Sequence, residues 1–211
     1  KVPHGIVLVT GPTGSGKTTT LYAVLSRIIK KKINVVTVED PVQKVLEGMT
    51  QVQVNPKSGL TFATALRSIL RQDLDVIMVG EMRDEETVSI GVRAAITGHL
   101  VFSTLHTNDC ASTINRLRNM GVAPYMVAAA LSGIVAQRLV KVLCPMCCRE
   151  YEPDERERGL LEGLGAGKVD KLWKASGCPC CNGTGYSRRK AVYELMEVDE
   201  EVKFMITDNV L

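Results

Sequence analysis

A glycine-rich segment near the start of the chain has the residue types and spacing of a phosphate-binding loop. The sequence GPTGSGKT, residues 11–18, matches the pattern G-x-x-x-x-G-K-[ST] at every position. Glycines let backbone N–H groups converge on phosphate oxygens at the start of a helix. In this pattern Lys17 reaches the β- and γ-phosphates and the Thr18 hydroxyl holds Mg²⁺. The alternative, a glycine-rich turn that binds nothing, fits so complete a pattern poorly. We expect nucleotide contacts from Gly11, Pro12, Thr13, Gly14, Ser15, Gly16, Lys17, Thr18 and Thr19.

Acidic and imidazole side chains follow three further apolar runs. Glu39 closes the second run, Glu81 follows the third and His106 follows the fourth. In a parallel α/β sheet the carboxyl ends of the strands face one crevice. A carboxylate there can orient Mg²⁺ or accept a proton from an attacking water, and an imidazole can touch the γ-phosphate. The alternative is that acidic residues at strand ends merely cap the next helix, and we favour it only for residues 84–86.

A parallel sheet would bring these side chains together. Continuous apolar runs fit strands buried on both faces, and their alternation with helical patterns predicts an α/β fold with a mainly parallel sheet. The predicted strands are residues 5–10, 33–38, 51–55, 76–79 and 100–105. The predicted helices are residues 17–31, 61–72, 84–96, 110–120 and 124–140.

Composition excludes several classes of protein. With 211 residues, 45% of them hydrophobic and 23% charged, the chain resembles an ordinary globular protein rather than a disordered, collagenous or coiled-coil one. A net charge of +3 and an aromatic content of 4% argue against a nucleic-acid partner. The uncharged segment at residues 121–137 is too short and too polar to span a membrane. No basic-then-apolar leader opens the chain, so we expect no export.

Six of the seven cysteines lie in two clusters, CPMCC at 144–148 and CPCC at 178–181. Two C-x-x-C pairs are typical of a four-thiolate zinc site, although this spacer is longer than in most zinc ribbons. Cys148 and Cys180 leave the ligand set uncertain by one residue in each cluster. Disulfides or a redox role are the alternatives. Basic residues exceed acidic ones in residues 1–143, and the reverse holds for 144–211, so we place a boundary near residue 142.

Four blocks in this order resemble the secretion ATPase superfamily, in particular the type II secretion and type IV pilus assembly ATPases. Residues 11–18 look like the family's Walker A motif and residues 37–42, TVEDPV, like its aspartate box. Residues 75–84, DVIMVGEMRD, look like its atypical Walker B motif, and residues 97–108, TGHLVFSTLHTN, like its histidine box. The resemblance extends from Lys1 to about Val198.

The resemblance implies a RecA-like P-loop ATPase core at residues 1–142, a tetracysteine zinc-binding insertion at 143–183 and a C-terminal segment, 184–211, that packs back on the core. The family carries N-terminal domains that this chain lacks, so it looks like a C-terminal motor domain. By position, the implied zinc ligands are Cys144, Cys147, Cys178 and Cys181.

The resemblance also assigns roles to particular residues. Glu39 and Glu81 match the glutamates that activate water and hold magnesium, in an order that stays open. Arg67 and Arg71, four apart and so expected on one helical face, match the family's functional arginines; a solvated face paired with an acid such as Asp73 or Glu86 is the alternative. Arg189 matches an arginine that approaches the nucleotide of its own subunit, and a plain surface arginine is its alternative.

The implied function is Mg²⁺-dependent hydrolysis of ATP by a homo-hexameric motor for type II secretion or type IV pilus assembly. Its expected partners are an inner-membrane platform protein and other components of that machinery, without nucleic acid. Its expected location is cytoplasmic, peripherally associated with the inner membrane. Two alternatives remain. One is a RecA-like motor that acts on nucleic acid, and the other is a non-catalytic zinc interaction module that binds nucleotide.

Overall fold

A seven-stranded sheet organises the chain in the computed structural model, which describes residues 3–208. The strands are β1 (Gly5–Thr10), β2 (Val35–Glu39), β3 (Thr50–Gln53), β4 (Val76–Val79), β5 (Leu100–Leu105), β6 (Leu131–Leu143), β7 (Arg149–Tyr151), β8 (Leu172–Lys174) and β9 (Tyr186–Glu197). The sheet order is β3-β2-β4-β5-β1-β6-β9, while β7 and β8 form a separate antiparallel pair. Every pairing from β3 across to β6 is parallel, which confirms the predicted α/β fold with a mainly parallel sheet.

Seven α-helices connect or follow these strands within residues 3–208. They are α1 (Lys17–Ile28), α2 (Phe62–Ile69), α3 (Glu85–Ile96), α4 (Cys110–Asn119), α5 (Pro124–Ala130), α6 (Glu155–Gly163) and α7 (Glu200–Thr207). Short 3₁₀ turns occupy Ile29–Lys31, Pro56–Ser58 and Pro179–Cys181. Side-chain caps begin several helices: Thr61 accepts from the Thr64 amide before α2, and Asp84 accepts from the Thr87 amide before α3. None of the helices among the described residues has the length and apolar character needed to cross a membrane.

Side chains of the central strands pack into two apolar layers, one on each face of the sheet. In β1, Ile6 and Leu8 belong to the layer covered by α2 to α5 and α7, whereas Val9 belongs to the layer covered by α1. In β4, Ile77 and Met78 divide in the same way between the two layers. Because both faces of the sheet are covered, these strands are continuous apolar runs instead of alternating ones.

The segment after Pro124 corrects the sequence prediction. A helix was expected over residues 124–140, but α5 ends at Ala130 and β6 begins at Leu131. β6 runs parallel to β1, with Ile134 opposite Leu8 and Ala136 opposite Thr10. Without β6, the backbone groups of β1 would have no hydrogen-bonding partner on that side. The hydrogen bonds between β1 and β6 therefore outweigh the helix propensity of the alanine-rich segment.

The chain divides into two units. The first comprises residues 3–138 and 193–208, and the second comprises residues 139–192. The second unit contains β7, β8, α6 and all six clustered cysteines. The sequence-based division at residues 142 and 183 remains a prediction.

Candidate functional site

The glycine-rich loop joins the end of β1 to the start of α1. Gly11, Gly14 and Gly16 all have positive φ, at 145°, 78° and 87°. A Cβ on Gly11 would lie 2.3 Å from the carbonyl oxygen of Gln137, so only glycine fits there. A Cβ on Gly14 would meet no atom within 4 Å, because that part of the loop faces an open cleft. The loop therefore has the shape that directs backbone N–H groups toward a bound anion.

Lys17, the first residue of α1, is folded over this loop. Its Nζ donates to the Gly11 carbonyl at 2.8 Å and to the Pro12 carbonyl at 3.2 Å, and the residue is only 8% exposed. Burial lowers the pKa of the Lys17 ammonium, and the negative charge of Glu81 opposes that change. The two carbonyls thus hold a cation at the mouth of the loop, where a phosphate group would sit.

A cleft of about 310 Å³ opens beside the loop. The structure brings the predicted carboxylates and imidazole together there, since Glu39, Glu81 and His106 all line the cleft with Lys17 and Thr18. Its remaining lining residues are Thr13, Gly14, Gly16, Thr19, Asp40, Pro41, Gln43, Phe62, Gly80 and Thr104. Most of the lining residues lie at or after the carboxyl ends of β1, β2, β4 and β5, whereas Phe62 begins α2. This is the edge where parallel α/β sheets bind ligands.

Glu39 ends β2 as a buried acid, only 2% exposed. The Thr37 hydroxyl donates to its carboxylate at 2.5 Å, the Gln51 amide donates at 3.0 Å, and the Tyr22 hydroxyl also donates to it. Three donors from three different segments compensate the burial of a charge and fix the direction of the carboxylate.

Glu81 stands opposite, with a side chain that is 13% exposed. Its Oε2 lies 2.6 Å from Nε of Arg83 and 3.6 Å from Nε2 of His106. The Gly80 carbonyl beside it accepts from the Thr104 hydroxyl at 2.7 Å, which ties the end of β4 to β5. Glu81 therefore lies at the wall of the cleft, with the cationic Arg83 and the imidazole of His106 beside its carboxylate.

The second unit holds a compact cysteine cluster. The sulfur atoms of four cysteines lie within 4.8 Å of one another, and they belong to Cys144, Cys147, Cys178 and Cys181. Measured Sγ–Sγ distances are 4.0 Å for Cys144–Cys178, 3.8 Å for Cys147–Cys181 and 3.7 Å for Cys178–Cys181. Four sulfurs at Zn–S distances of about 2.3 Å in a tetrahedron are about 3.8 Å apart, so the cluster fits zinc.

Local contacts support thiolate character at one member of this cluster. Sγ of Cys181 accepts from the amides of Cys178 at 3.2 Å and Gly185 at 3.1 Å. Burial alone would raise the pKa of Cys181, but these N–H donors, together with hydrogen bonds from the Cys178 and Cys147 thiols, lower it to about 6. Cys148 instead contacts the Pro145 carbonyl and Cys180 is exposed, so both lie outside the four-sulfur group.

Comparison with known proteins places the chain in a family. The family model described as Type II/IV secretion system protein matches residues 1–210. The chain belongs to this family. It is 50% identical over 206 residues to the Type II secretion system ATPase E of Vibrio cholerae, covering 98% of this chain and 41% of that protein. It is 52% identical over 207 residues to the Type IV pilus assembly ATPase PilB of Thermus thermophilus, covering 97% of this chain and 23% of that protein.

Solved structures agree with this assignment. The crystal structure of the pilus retraction motor PilT with bound ADP matches with a TM-score of 0.73 and 33% identity, over 99% of this chain and 51% of that one. The Legionella pneumophila ATPase DotB matches with a TM-score of 0.68 and 27% identity, over 99% and 51%. The chain thus spans less than half the length of the curated relatives and about half of the structural ones.

Within the first unit of this family member, Arg67 and Arg71 are not among the residues that line the cleft. Arg67 forms an ion pair with Glu86, which is the alternative that the sequence left open, and it borders a separate depression with Arg93. The expectation that Arg67 and Arg71 share a helical face is wrong, because α2 ends at Ile69. The Arg71 amide bonds the Ser68 carbonyl in a tightened turn, and Arg71 is exposed there.

Arg189 lies on β9 within the second unit and is exposed. The predicted roles of Arg67 and Arg71 at a neighbouring subunit, and of Arg189 at the nucleotide, remain predictions.

Two residues of this secretion-system domain that contact the site were missed from the sequence. Tyr22 is buried on α1 and reaches Glu39, and its position one helical turn beyond Thr18 was the available signal. Gln137 is buried on β6 and bonds the phosphate loop. Its segment was predicted as a helix, so no pairing with β1 could be anticipated.

Proposed function

We propose that this chain is the motor domain of a type II secretion or type IV pilus assembly ATPase, and that it hydrolyses ATP with Mg²⁺. The observation that carries this proposal is the cleft in which Lys17 and the phosphate loop face Glu39 and Glu81. Phosphoryl transfer needs mainly positioning and electrostatic stabilisation, and this cleft supplies backbone donors, one fixed cation and two carboxylates. The names of the relatives, which include secretion and pilus assembly ATPases, support it.

Each of these residues has a proposed role in the reaction. The loop amides and Lys17 bind the phosphates, and the Thr18 hydroxyl with one carboxylate would hold Mg²⁺, which offsets charge on the phosphate oxygens. The other carboxylate accepts a proton from the attacking water. His106, with Nε2 3.6 Å from Glu81, contacts the terminal phosphate. Thr13 and Thr19, exposed along the cleft, contact the rest of the nucleotide.

We also propose a structural zinc ion held by the four clustered cysteines, since four thiolates leave no open coordination position. The full-length protein would work as a homo-hexamer on the cytoplasmic side of the inner membrane, against a platform protein of the same machinery. This part of the proposal rests on what the relatives are named and on the family resemblance.

The decisive experiment is ATP turnover by the purified protein with Mg²⁺. Lys17→Ala should abolish turnover, because it removes the only cation that the loop carbonyls hold at the phosphate position in the described structure. Lys57→Ala, at an exposed lysine outside the cleft, is the matched control and should keep the wild-type rate. Near-normal activity of Lys17→Ala would contradict the proposal.

The same assay separates the alternatives. Binding of ATP without turnover in the wild type would favour a non-catalytic nucleotide-binding module. Turnover that rises several-fold with added DNA, and loses that stimulation as salt increases, would favour a motor that acts on nucleic acid.

A further inference from the structure

Gln137 is a polar side chain buried against the phosphate loop. It is 2% exposed, and its Nε2 donates to the Ser15 carbonyl at 2.6 Å. Its Oε1 accepts from the Thr20 hydroxyl at 2.7 Å. Because a carbonyl oxygen accepts and never donates, the contact with Ser15 fixes which end of the amide faces the loop. Gln137 thus bridges the middle of the loop and the first turn of α1.

The backbone of Gln137 contacts the same loop. Its carbonyl oxygen occupies the space where a side chain on Gly11 would begin, 2.3 Å from that Cβ position. The first residue of the loop therefore packs on the Gln137 backbone, while a residue four positions later is bonded by the Gln137 side chain. A single residue of β6 holds the loop at two points.

The bond to Ser15 bears on the direction of a neighbouring N–H group. The Ser15 carbonyl and the Gly16 N–H belong to one planar peptide, so they point in opposite directions and rotate together. Gly16 lacks a Cβ and has φ of 87°, so its own conformational preferences do little to stop that rotation. A donor that holds the Ser15 carbonyl on the outer side keeps the Gly16 N–H on the inner side, where a phosphate binds.

We propose that Gln137 is a positioning residue for nucleotide binding, which aims the Gly16 N–H at the phosphates by holding the Ser15 carbonyl. The inference rests on the proposed function of the loop. Thr20 supports the same arrangement, since its hydroxyl occupies the amide oxygen and keeps Nε2 directed at Ser15. Gln137 itself touches no reacting atom.

The test measures the affinity of Mg²⁺–ADP and the kinetic constants for ATP. Gln137→Met keeps an unbranched side chain of similar length but removes the donor. Gln137→Glu keeps the shape and places a carboxylate oxygen against the Ser15 carbonyl. Both should weaken ADP binding by about 10-fold or more and raise KM for ATP alike, while kcat at saturating ATP stays within about 3-fold. Ser132→Ala, on the same strand and with a hydroxyl that donates to the His4 carbonyl at 3.3 Å, away from the loop, should change neither.

A double-mutant comparison distinguishes positioning from general destabilisation. Thr20→Val should weaken ADP binding about 3-fold in the wild-type background and have no further effect in Gln137→Met, because both changes act through one amide. If the losses of ADP affinity caused by Thr20→Val and Gln137→Met multiply in the double variant, the two residues act independently and the proposal is overturned. So would ADP affinities within about 2-fold of wild type for both Gln137 variants. If the Gln137 variants do not fold, unchanged ADP affinity of Thr20→Val alone overturns it.

Failure of the underlying function is recognised separately. If the wild type binds no Mg²⁺–ADP, and Lys17→Ala behaves identically, the loop is not a nucleotide site. If the wild type binds ADP and Lys17→Ala does not, the loop is a nucleotide site, and the results for the Gln137 variants then test the role of Gln137 alone.

Discussion

The hydroxyl of Tyr22 donates to the buried carboxylate of Glu39 and so joins the helix of the phosphate loop to the acidic end of β2. Tyr22 lies on α1, five residues after Lys17, and its oxygen also accepts from the Gln43 amide at 3.2 Å. Burial and the bond to Glu39 raise the pKa of Tyr22, so the phenol, which is protonated at neutral pH in any case, stays a donor under more alkaline conditions as well. Tyr22 therefore links the position of α1 to the position of the Glu39 carboxylate.

Tyr22→Phe removes this donor while the ring and its packing remain. We expect kcat to fall by about 10-fold or more, because a hydrogen bond to a charged group contributes roughly 1.5–3 kcal/mol. KM for ATP should change little, since the loop is untouched. Tyr125→Phe, at a largely exposed tyrosine of α5, is the control. An unaltered kcat would show that Thr37 and Gln51 hold Glu39 without help.

Glu81→Gln should separate binding from hydrolysis. The amide keeps the size of the side chain but loses the charge near His106, so we expect ATP to bind while turnover falls at least ~10²-fold. The measurements are equilibrium ATP binding and single-turnover hydrolysis, with the exposed Glu47→Gln as control. A parallel loss of binding and turnover would point to a folding defect instead.

Cys144→Ser should release zinc from the protein. We expect metal analysis under reducing conditions to find about one zinc per wild-type chain and clearly less in the variant. Hydrogen exchange should rise across residues 144–181 and stay unchanged in β1, because structural zinc contributes folding free energy locally. Cys180→Ser removes a neighbouring exposed cysteine outside the four-sulfur group and should retain the metal. Wild-type protein purified without zinc would refute the site.

The paired removal of Arg67 and Arg71 should impair hydrolysis without unfolding the domain. The Arg67–Glu86 pair is half-exposed on both sides, so breaking it should cost no more than about 1 kcal/mol. If these arginines act on a neighbour's nucleotide, mixing Lys17→Ala subunits with Arg67→Ala, Arg71→Ala subunits in assembling full-length protein should restore part of the activity. If rings that demonstrably contain both variants recover no activity, the arginines act on the nucleotide of their own subunit or are only surface charges.

The elements with strong local signals could be predicted from the sequence. The bounds of β1, β4 and β5 were predicted to the residue, because each is an apolar run closed by a glycine or a polar residue. The meeting of Lys17, Glu39, Glu81 and His106 followed from the same logic, since Glu39, Glu81 and His106 lie at or just after the carboxyl ends of parallel strands and Lys17 begins the helix that follows β1.

What the sequence could not supply is the long-range pairing. Residues 124–140 contain alanines and apolar residues at spacings that suit a helix, and only their register with β1 makes residues from Leu131 onward a strand. The contacts of Gln137 with Ser15 and Thr20 depend on that register, so they could not be foreseen. Likewise, Arg71 lies outside α2 because the helix ends at Ile69, three residues before its predicted end.

Because β1 lies inside the sheet, it can pair fully only after the later strands beside it have been synthesised. Its partners are distant in the chain: the Thr10 hydroxyl bonds the carbonyl of Leu105, 95 residues later, and the Ser15 carbonyl is bonded by Gln137, 122 residues later. Non-local parallel pairing of this kind forms slowly and leaves apolar strand edges unpaired in the meantime. The glycine-rich loop is translated 122 residues before Gln137, the residue that bonds it, so it reaches its final shape only after that later part of the domain has been synthesised.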